Sequence, residues 1–253
     1  MTVHELYQKL SERIPRELSC PWDNDGLMCC PDGNAEVRRV LVTLDVTEAA
    51  VNAAKERGYD LIVSHHPMIF KGLKAVNDEN FIAAKTIDLI RNGISAMSFH
   101  TRLDAVAGGV NDVLAALLGL QNALPFGEEA IGRIGALPEA MDQKAFAERV
   151  KTVLNAPVVL LSDAGVPVRR VAVLGGGGDD DVAAAHKAGA DTYVTGELKY
   201  HSLVDAPEEG MNLIEAGHFH TENPVCEILR EWLLAMDPSL TVDLFYSYAV
   251  QTI

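Results

Sequence analysis

Short runs of apolar, often β-branched residues alternate with segments of helical spacing along most of the chain. Residues 37–44 read as a strand, and Thr47 is placed to cap a helix over Glu48–Arg57, where Ala49, Ala50, Ala53 and Ala54 recur at helical spacing before Gly58. Residues 60–64 form a continuous apolar run of the kind a parallel sheet buries on both faces. A helix over about residues 79–91, a stop at Asn92-Gly93, a strand at 94–99 and a helix at about 110–118 follow. The rhythm then restarts with a strand at 170–174, a helix at 180–187 and a strand at 191–195. This alternation predicts an α/β fold with mainly parallel sheets and right-handed crossovers.

The restart has the form of an internal repeat. Leu41-Val42-Thr43-Leu44-Asp45 aligns with Val171-Ala172-Val173-Leu174-Gly175 at an offset of 130, and Arg57-Gly58-Tyr59-Asp60 with Ala188-Gly189-Ala190-Asp191 at 131. Each half next has a helix, a glycine and a strand that runs into histidine and a carboxylate. Residues 123–138, with Pro125, Gly127, Gly132, Gly135 and Pro138, read as the linker. The expectation is two similar lobes, 1–124 and 125–253, packing as one unit with strand ends converging. Glycine after a helix and aspartate before a strand are common turn chemistry, so two unrelated α/β units remain the alternative.

The chain has 253 residues, 48% hydrophobic and 23% charged, which suits a folded protein with a sizeable core and excludes wholesale disorder. Acidic residues outnumber basic ones by 15, so the surface field repels phosphate backbones, and no basic patch offsets it. General nucleic-acid binding is not expected. Apolar-leaning runs such as 113–127 fall short of the roughly 20 residues that span a bilayer. Glu5, Glu12 and Glu17 interrupt any signal-like N-terminus. Cysteines at 20, 29, 30 and 226 make no disulfide framework, which points to a reducing cytoplasm.

Five of the eight histidines fall at or just beyond predicted C-terminal strand ends, where α/β sheets place their ligand crevice. In Ser64-His65-His66-Pro67 the proline ends the strand and frees adjacent imidazoles to reach one site. His100 and Asp104 lie four apart in a turn leading to a helix. His218, His220 and Glu222 precede Asn223-Pro224, with Pro224 suited to a first helical turn. Imidazoles with carboxylates suit Zn, Mn, Fe, Co or Ni, and one bridging carboxylate would allow a pair of ions and water activation. Against this, strand-end histidines are often satisfied by backbone carbonyls.

Trp22-Asp23-Asn24, Leu44-Asp45-Val46-Thr47-Glu48-Ala49, residues 60–71, residues 100–111, Thr195-Gly196-Glu197-Leu198-Lys199-Tyr200-His201 and residues 217–222 occur in the order of one family. The sequence resembles the Nif-three-like dinuclear metal-centre family, often called GTP cyclohydrolase I type 2, over nearly the whole chain. The resemblance implies a two-lobed Nif-three-like α/β protomer, a homohexameric ring and two divalent metal ions per chain. It makes His65 and His66 ligands to different metals, adds Asp104 and His218 as further ligands, and gives Glu222 the bridge. His100 matches a family histidine that ligates or holds Asp104 or a water, and His201 matches a motif from which it could act as general acid or base, a solvated surface histidine being the alternative. His220 reads as a bystander. The implied activity is a metal-dependent hydrolase of a small molecule, with a nucleotide, GTP, as substrate. The other reading is a non-catalytic ring-shaped metal-binding or regulatory protein.

Two stretches depart from the family pattern. Arg102 stands where members commonly carry Asn, and could meet a substrate anion or lie on the surface. Residues 25–30 replace the usual stretch after Trp-Asp-Asn, and their Cys29-Cys30 pair reads as ordinary loop or core. Gly175-Gly176-Gly177-Gly178 lacks the Gly-Lys-Ser/Thr of a phosphate loop and precedes Asp179-Asp180-Asp181, so it reads as a close-packed turn before a charged helix start.

Overall fold

The apolar runs become strands and the helical spacings become the crossovers between them. The computed structural model describes residues 1–246 and 248–250. In chain order the first elements are α1 (Val3–Arg13), β1 (Gly26–Cys29), β2 (Arg39–Thr43), α2 (Glu48–Arg57), β3 (Leu61–Ser64), α3 (Phe81–Arg91), β4 (Ser95–Ser98) and α4 (Thr101–Ala105). Then come α5 (Val110–Leu117), β5 (Gln121–Phe126), β6 (Gly132–Met141), α6 (Gln143–Val153), β7 (Leu160–Ser162) and β8 (Val168–Leu174). The chain finishes with α7 (Val182–Lys187), β9 (Thr192–Thr195), α8 (Tyr200–Glu208), β10 (Asn212–Glu215), α9 (His218–Glu222), α10 (Val225–Met236) and β11 (Thr241–Phe245). Thr47 caps α2 by accepting from the Ala50 amide, and Gly58 ends it at φ 65°.

Two compact units result: Met1–Leu103 with Cys226–Ala249, and Asp104–Val225. The first contains a sheet of order β1-β4-β3-β2-β11, parallel except for β1. The second contains the order β5-β6-β8-β9-β10-β7, with a parallel centre of β8, β9 and β10 and antiparallel neighbours. In the first, Leu41, Ile62 and Ala96 pack with α2 and α3 residues such as Val51, Ala54 and Leu89. Burial of each large aliphatic there contributes about 1.5–3 kcal/mol. Among the described residues no helix is long and apolar enough to cross a membrane.

The repeat is visible in the hydrogen bonds inside each unit. The Asp60 carboxylate accepts from the Arg38 and Arg39 amides, and Asp191 does the same for Arg169 and Arg170. In both cases the aspartate amide returns a bond to the second arginine's carbonyl. Each set of three parallel strands carries, beside its third strand, an antiparallel strand that precedes it in the chain. The register corrects one expectation. Val40 pairs with Leu61 and Val171 with Thr192, so the first strands align at an offset of 131, not 130. A slip of one residue exchanges the two faces of a strand, but a strand buried on both faces has no polar alternation to reveal the slip.

The expected linker is also corrected. Much of residues 123–138 lies in β5 and β6, an antiparallel pair. Its glycines serve close packing rather than looseness, because a Cβ on Gly132 would collide with the Phe126 ring and one on Gly135 would lie 2.9 Å from the Gln121 carbonyl oxygen. The units are divided elsewhere than at 124/125, within α4 and at the start of α10. In each half a parallel trio ends in a five-residue helix, α4 or α9, and the next helix joins the other unit's core. Helix α5 thus packs Leu114, Ala115 and Leu118 against Val171 and Val173, and α10 presents the Trp232 ring to the Arg13 guanidinium at 4.5 Å.

Candidate metal centre

Strand β3 ends at Ser64, whose hydroxyl donates to the His66 carbonyl at 2.8 Å and turns the chain. Strand β4 pairs Ser98 with Ser64, so His100 emerges beside the same strand end. The His65 and His66 ring centroids lie 4.9 Å apart, and His100 lies 5.3 and 5.6 Å from them. One nitrogen from each ring falls within 4.8 Å of the others. Trp22 and Phe70 meet the edge of His100 at 6.2 and 6.1 Å.

All three imidazoles are held through Nδ1. His65 Nδ1 donates to the Phe99 carbonyl at 2.9 Å, His66 Nδ1 to Asp45 Oδ1 at 2.8 Å and His100 Nδ1 to Asp23 Oδ1 at 2.9 Å. These partners are acceptors, so each ring carries its proton on Nδ1 and offers the Nε2 lone pair. Asp23 also accepts from the Thr101 amide and hydroxyl at 3.1 and 2.7 Å. Burial works to raise the Asp23 carboxyl, but bonds from His100 and Thr101 outweigh it and hold the pKa at about 2. Asp23 and Asp45 lie inside the motifs that carry the family resemblance, and sequence reasoning gives them no role. The signal that could have found them is that a ligating histidine usually donates its other nitrogen to a carboxylate or carbonyl.

The second unit brings together His218 and Glu222, four apart on α9 and therefore on one face. His218 Nε2 lies 3.1 Å from Glu222 Oε2, and Nδ1 lies 3.1 Å from Glu197 Oε1. Glu222 is buried at 4% exposure. The four-glycine turn forms the floor. Gly176, at φ +72°, approaches so closely that a Cβ would overlap the Glu222 carboxylate and lie 3.1 Å from His218 Nε2. The close-packed reading of that turn therefore holds. Asp104, buried on α4, has its carbonyl 3.4 Å from Asn111 Nδ2, and Asn111 Oδ1 accepts from the Gly175 amide at 2.8 Å.

Other candidates are placed differently. His201 lies in the first turn of α8, exposed, not at a strand end. His220 is half-buried, and desolvation pushes its pKa down. Both readings of Arg102 are overturned, because its side chain is fully buried and donates from Nε to Asp25 Oδ2 at 2.7 Å. Cys29 is buried, and desolvation raises its thiol to about 11, which fits an unreactive core residue.

Imidazole nitrogens with carboxylate oxygens form a borderline donor set that fits a divalent transition metal. The Nδ1–H tautomers strengthen that fit, since they put the lone pair of each ring on Nε2. Among the described residues, cysteine enters none of the groups able to hold an ion.

Known proteins resemble the chain over most of its length. The model of the Duf34/NIF3 (NGG1p interacting factor 3) family matches residues 1–250. A Clostridium perfringens protein named GTP cyclohydrolase 1 type 2 homolog is 33% identical over 232 residues, covering 89% of this chain and 88% of its own. A Nostoc protein of the same name is 34% identical, with 80% of each chain covered. Among solved structures, Staphylococcus aureus protein SA1388 superposes with a TM-score of 0.89 at 27% identity, covering 100% of this chain and 99% of that one. Reduced HcgD from Methanocaldococcus jannaschii gives 0.86 at 26% identity, covering 96% and 97%. The repeat, the histidine-bearing strand ends and the full-length match agree, and the chain belongs to the Duf34/NIF3 family.

Proposed function

We propose that the protein is a cytoplasmic dinuclear-metal hydrolase acting on a nucleotide, with GTP as the first substrate to test. His65, His66, Asp104, His218 and Glu222 would hold two divalent ions (Zn, Mn, Fe, Co or Ni). The observation that carries the reading is the uniform tethering of three clustered imidazoles through Nδ1, which is what ligation through Nε2 requires. When bound, such ions supply Lewis-acid polarisation and activation of water.

The chain's own groups do the rest. Asp45 fixes the orientation of His66, and Phe99 that of His65. Asp23 holds the His100 ring so that Nε2 can take or give a proton, and its ionised carboxylate stabilises the imidazolium that results. His201, open to solvent on α8, is the second candidate acid or base. The acidic net charge favours a bound cation over free anions, so a nucleotide would approach with its phosphate charge neutralised by a counter-cation. The name shared by the relatives supports the cyclohydrolase part of the reading, and the assembly proposed with it is a homohexamer.

Elemental analysis should find close to two transition-metal ions per chain. Metal-loaded protein should release formate from GTP, and Glu222→Gln should lose this while the particle size stays that of six chains. Protein that contains no metal after purification and cannot be reloaded refutes the ligand assignment. Loaded protein that is inert towards nucleotides and phosphoesters would favour the non-catalytic metal-binding or regulatory role.

A further inference from the structure

The buried ion pair Asp25–Arg102 belongs to neither the proposed ligand set nor the acid–base groups, yet it touches both residues of the 99–100 segment that carries part of the three-imidazole cluster. Asp25 Oδ2 accepts from Arg102 Nε at 2.7 Å and from the His100 amide at 3.1 Å. Asp25 Oδ1 accepts from the Ser19 hydroxyl at 3.1 Å. Arg102 Nη1 donates to the Ile14 carbonyl at 3.1 Å, at the end of α1. The guanidinium lies 4.4 Å from the Phe99 ring centroid. Phe99 supplies the carbonyl that fixes His65 Nδ1, and its amide donates to the Ser64 carbonyl at 3.0 Å.

We infer that Asp25 and Arg102 are positioning residues for His65 and His100, clamping the 99–100 backbone so that both rings present Nε2 together. Two features favour this over a purely structural pair. A buried ion pair is weak evidence for stability, because the desolvation penalty offsets much of the attraction. A planar guanidinium does what an apolar side chain of similar volume could not: it stacks on Phe99 while directing separate N–H groups at Asp25 and Ile14. Arg102 holds the ring of Phe99, the residue whose carbonyl meets His65, and Asp25 holds the His100 amide. The inference rests on the metal reading only for its affinity measurement, since the tautomers exist without an ion.

The test compares Arg102→Lys and Asp25→Asn with Tyr59→Phe, a control in the same unit whose buried hydroxyl donates to Asp243 Oδ2 at 2.6 Å. Arg102→Lys keeps the charge but loses the stack and the fork. Asp25→Asn keeps an oxygen for the His100 amide and loses the charge. Nitrogen-15 NMR of metal-free protein reads the His65 and His100 tautomers, and cobalt titration reads affinity and the ligand-field spectrum. Arg102→Lys should mix the His65 tautomers, weaken cobalt binding by about ten-fold or more and shift its visible bands. Asp25→Asn should change the same signals by less, and it carries the test if Arg102→Lys does not fold. Tyr59→Phe should lower Tm without moving any of them. Clamp variants that lose Tm as the control does, yet keep wild-type tautomers and cobalt affinity, overturn the inference. Tautomers that respond in a protein that binds no cobalt would leave the clamp standing and sink the metal reading instead.

Discussion

Gly176→Ala separates backbone strain from damage at the centre. The new methyl group would overlap Glu222 Oε1 and lie 3.0 Å from its Cδ, with His218 Nε2 at 3.1 Å. The main chain cannot retreat easily, because the Gly176 carbonyl accepts from the Gly196 and Glu197 amides at 2.9 and 3.0 Å and its amide donates to Thr221 Oγ1 at 3.0 Å. Glu222 must therefore move. The left-handed backbone alone costs an alanine about 1–2 kcal/mol. Gly210→Ala isolates that cost, since Gly210 has φ +87° and open space around its absent Cβ. For a chain of this size both variants should lose roughly 2–8 °C in Tm from strain. Only Gly176→Ala should also weaken divalent-metal binding, by about ten-fold or more, measured by calorimetric titration of metal-stripped protein. Wild-type affinity in Gly176→Ala would refute the claim that Glu222 and His218 bind metal where this glycine makes room for them.

Two further outcomes are expected. Burial works to raise the Asp179 carboxyl, but hydrogen bonds from Lys199 and Ser202 outweigh it and hold the pKa at about 2. Its contribution to stability is thus fully present above the unfolded carboxyl's pKa of about 3.9 and is lost as pH falls towards 2; denaturant melts of Asp179→Asn should show a smaller loss between pH 5 and pH 3 than wild type, and an unchanged loss would contradict that network. His100→Ala and His201→Ala should both keep metal bound at His218 and Glu222, but only the first should lower kcat, by about 100-fold or more, and a loss confined to His201→Ala would transfer the acid–base role to α8.

The regular strands and helices were legible because parallel strands buried on both faces announce themselves as apolar runs, and Thr47 and Gly58 punctuate α2 by their own chemistry. The site histidines were legible because Pro67 and the strand ends placed them. What the sequence concealed has a common physical origin in contacts between distant segments. Gly132 and Gly135 look like punctuation, yet they make room for the Phe126 ring and the Gln121 carbonyl inside a strand pair. Arginine is seldom buried, so Arg102 read as a surface or substrate group until Asp25, 77 residues away, supplied its counter-charge. The tethers on His66 and His100 likewise come from Asp45 and Asp23, 21 and 77 residues distant.

The swapped helices have a consequence for how such a polypeptide can be cut. A fragment ending at residue 124 would keep α5 without the sheet it covers and would lose β11, leaving the outer edge of β2 unpaired along five register positions. A bare parallel edge of that length invites pairing with foreign strands. A half-length molecule could cure both defects only by borrowing the missing pieces from a second copy, so severed halves mixed together should recover structure that neither attains alone.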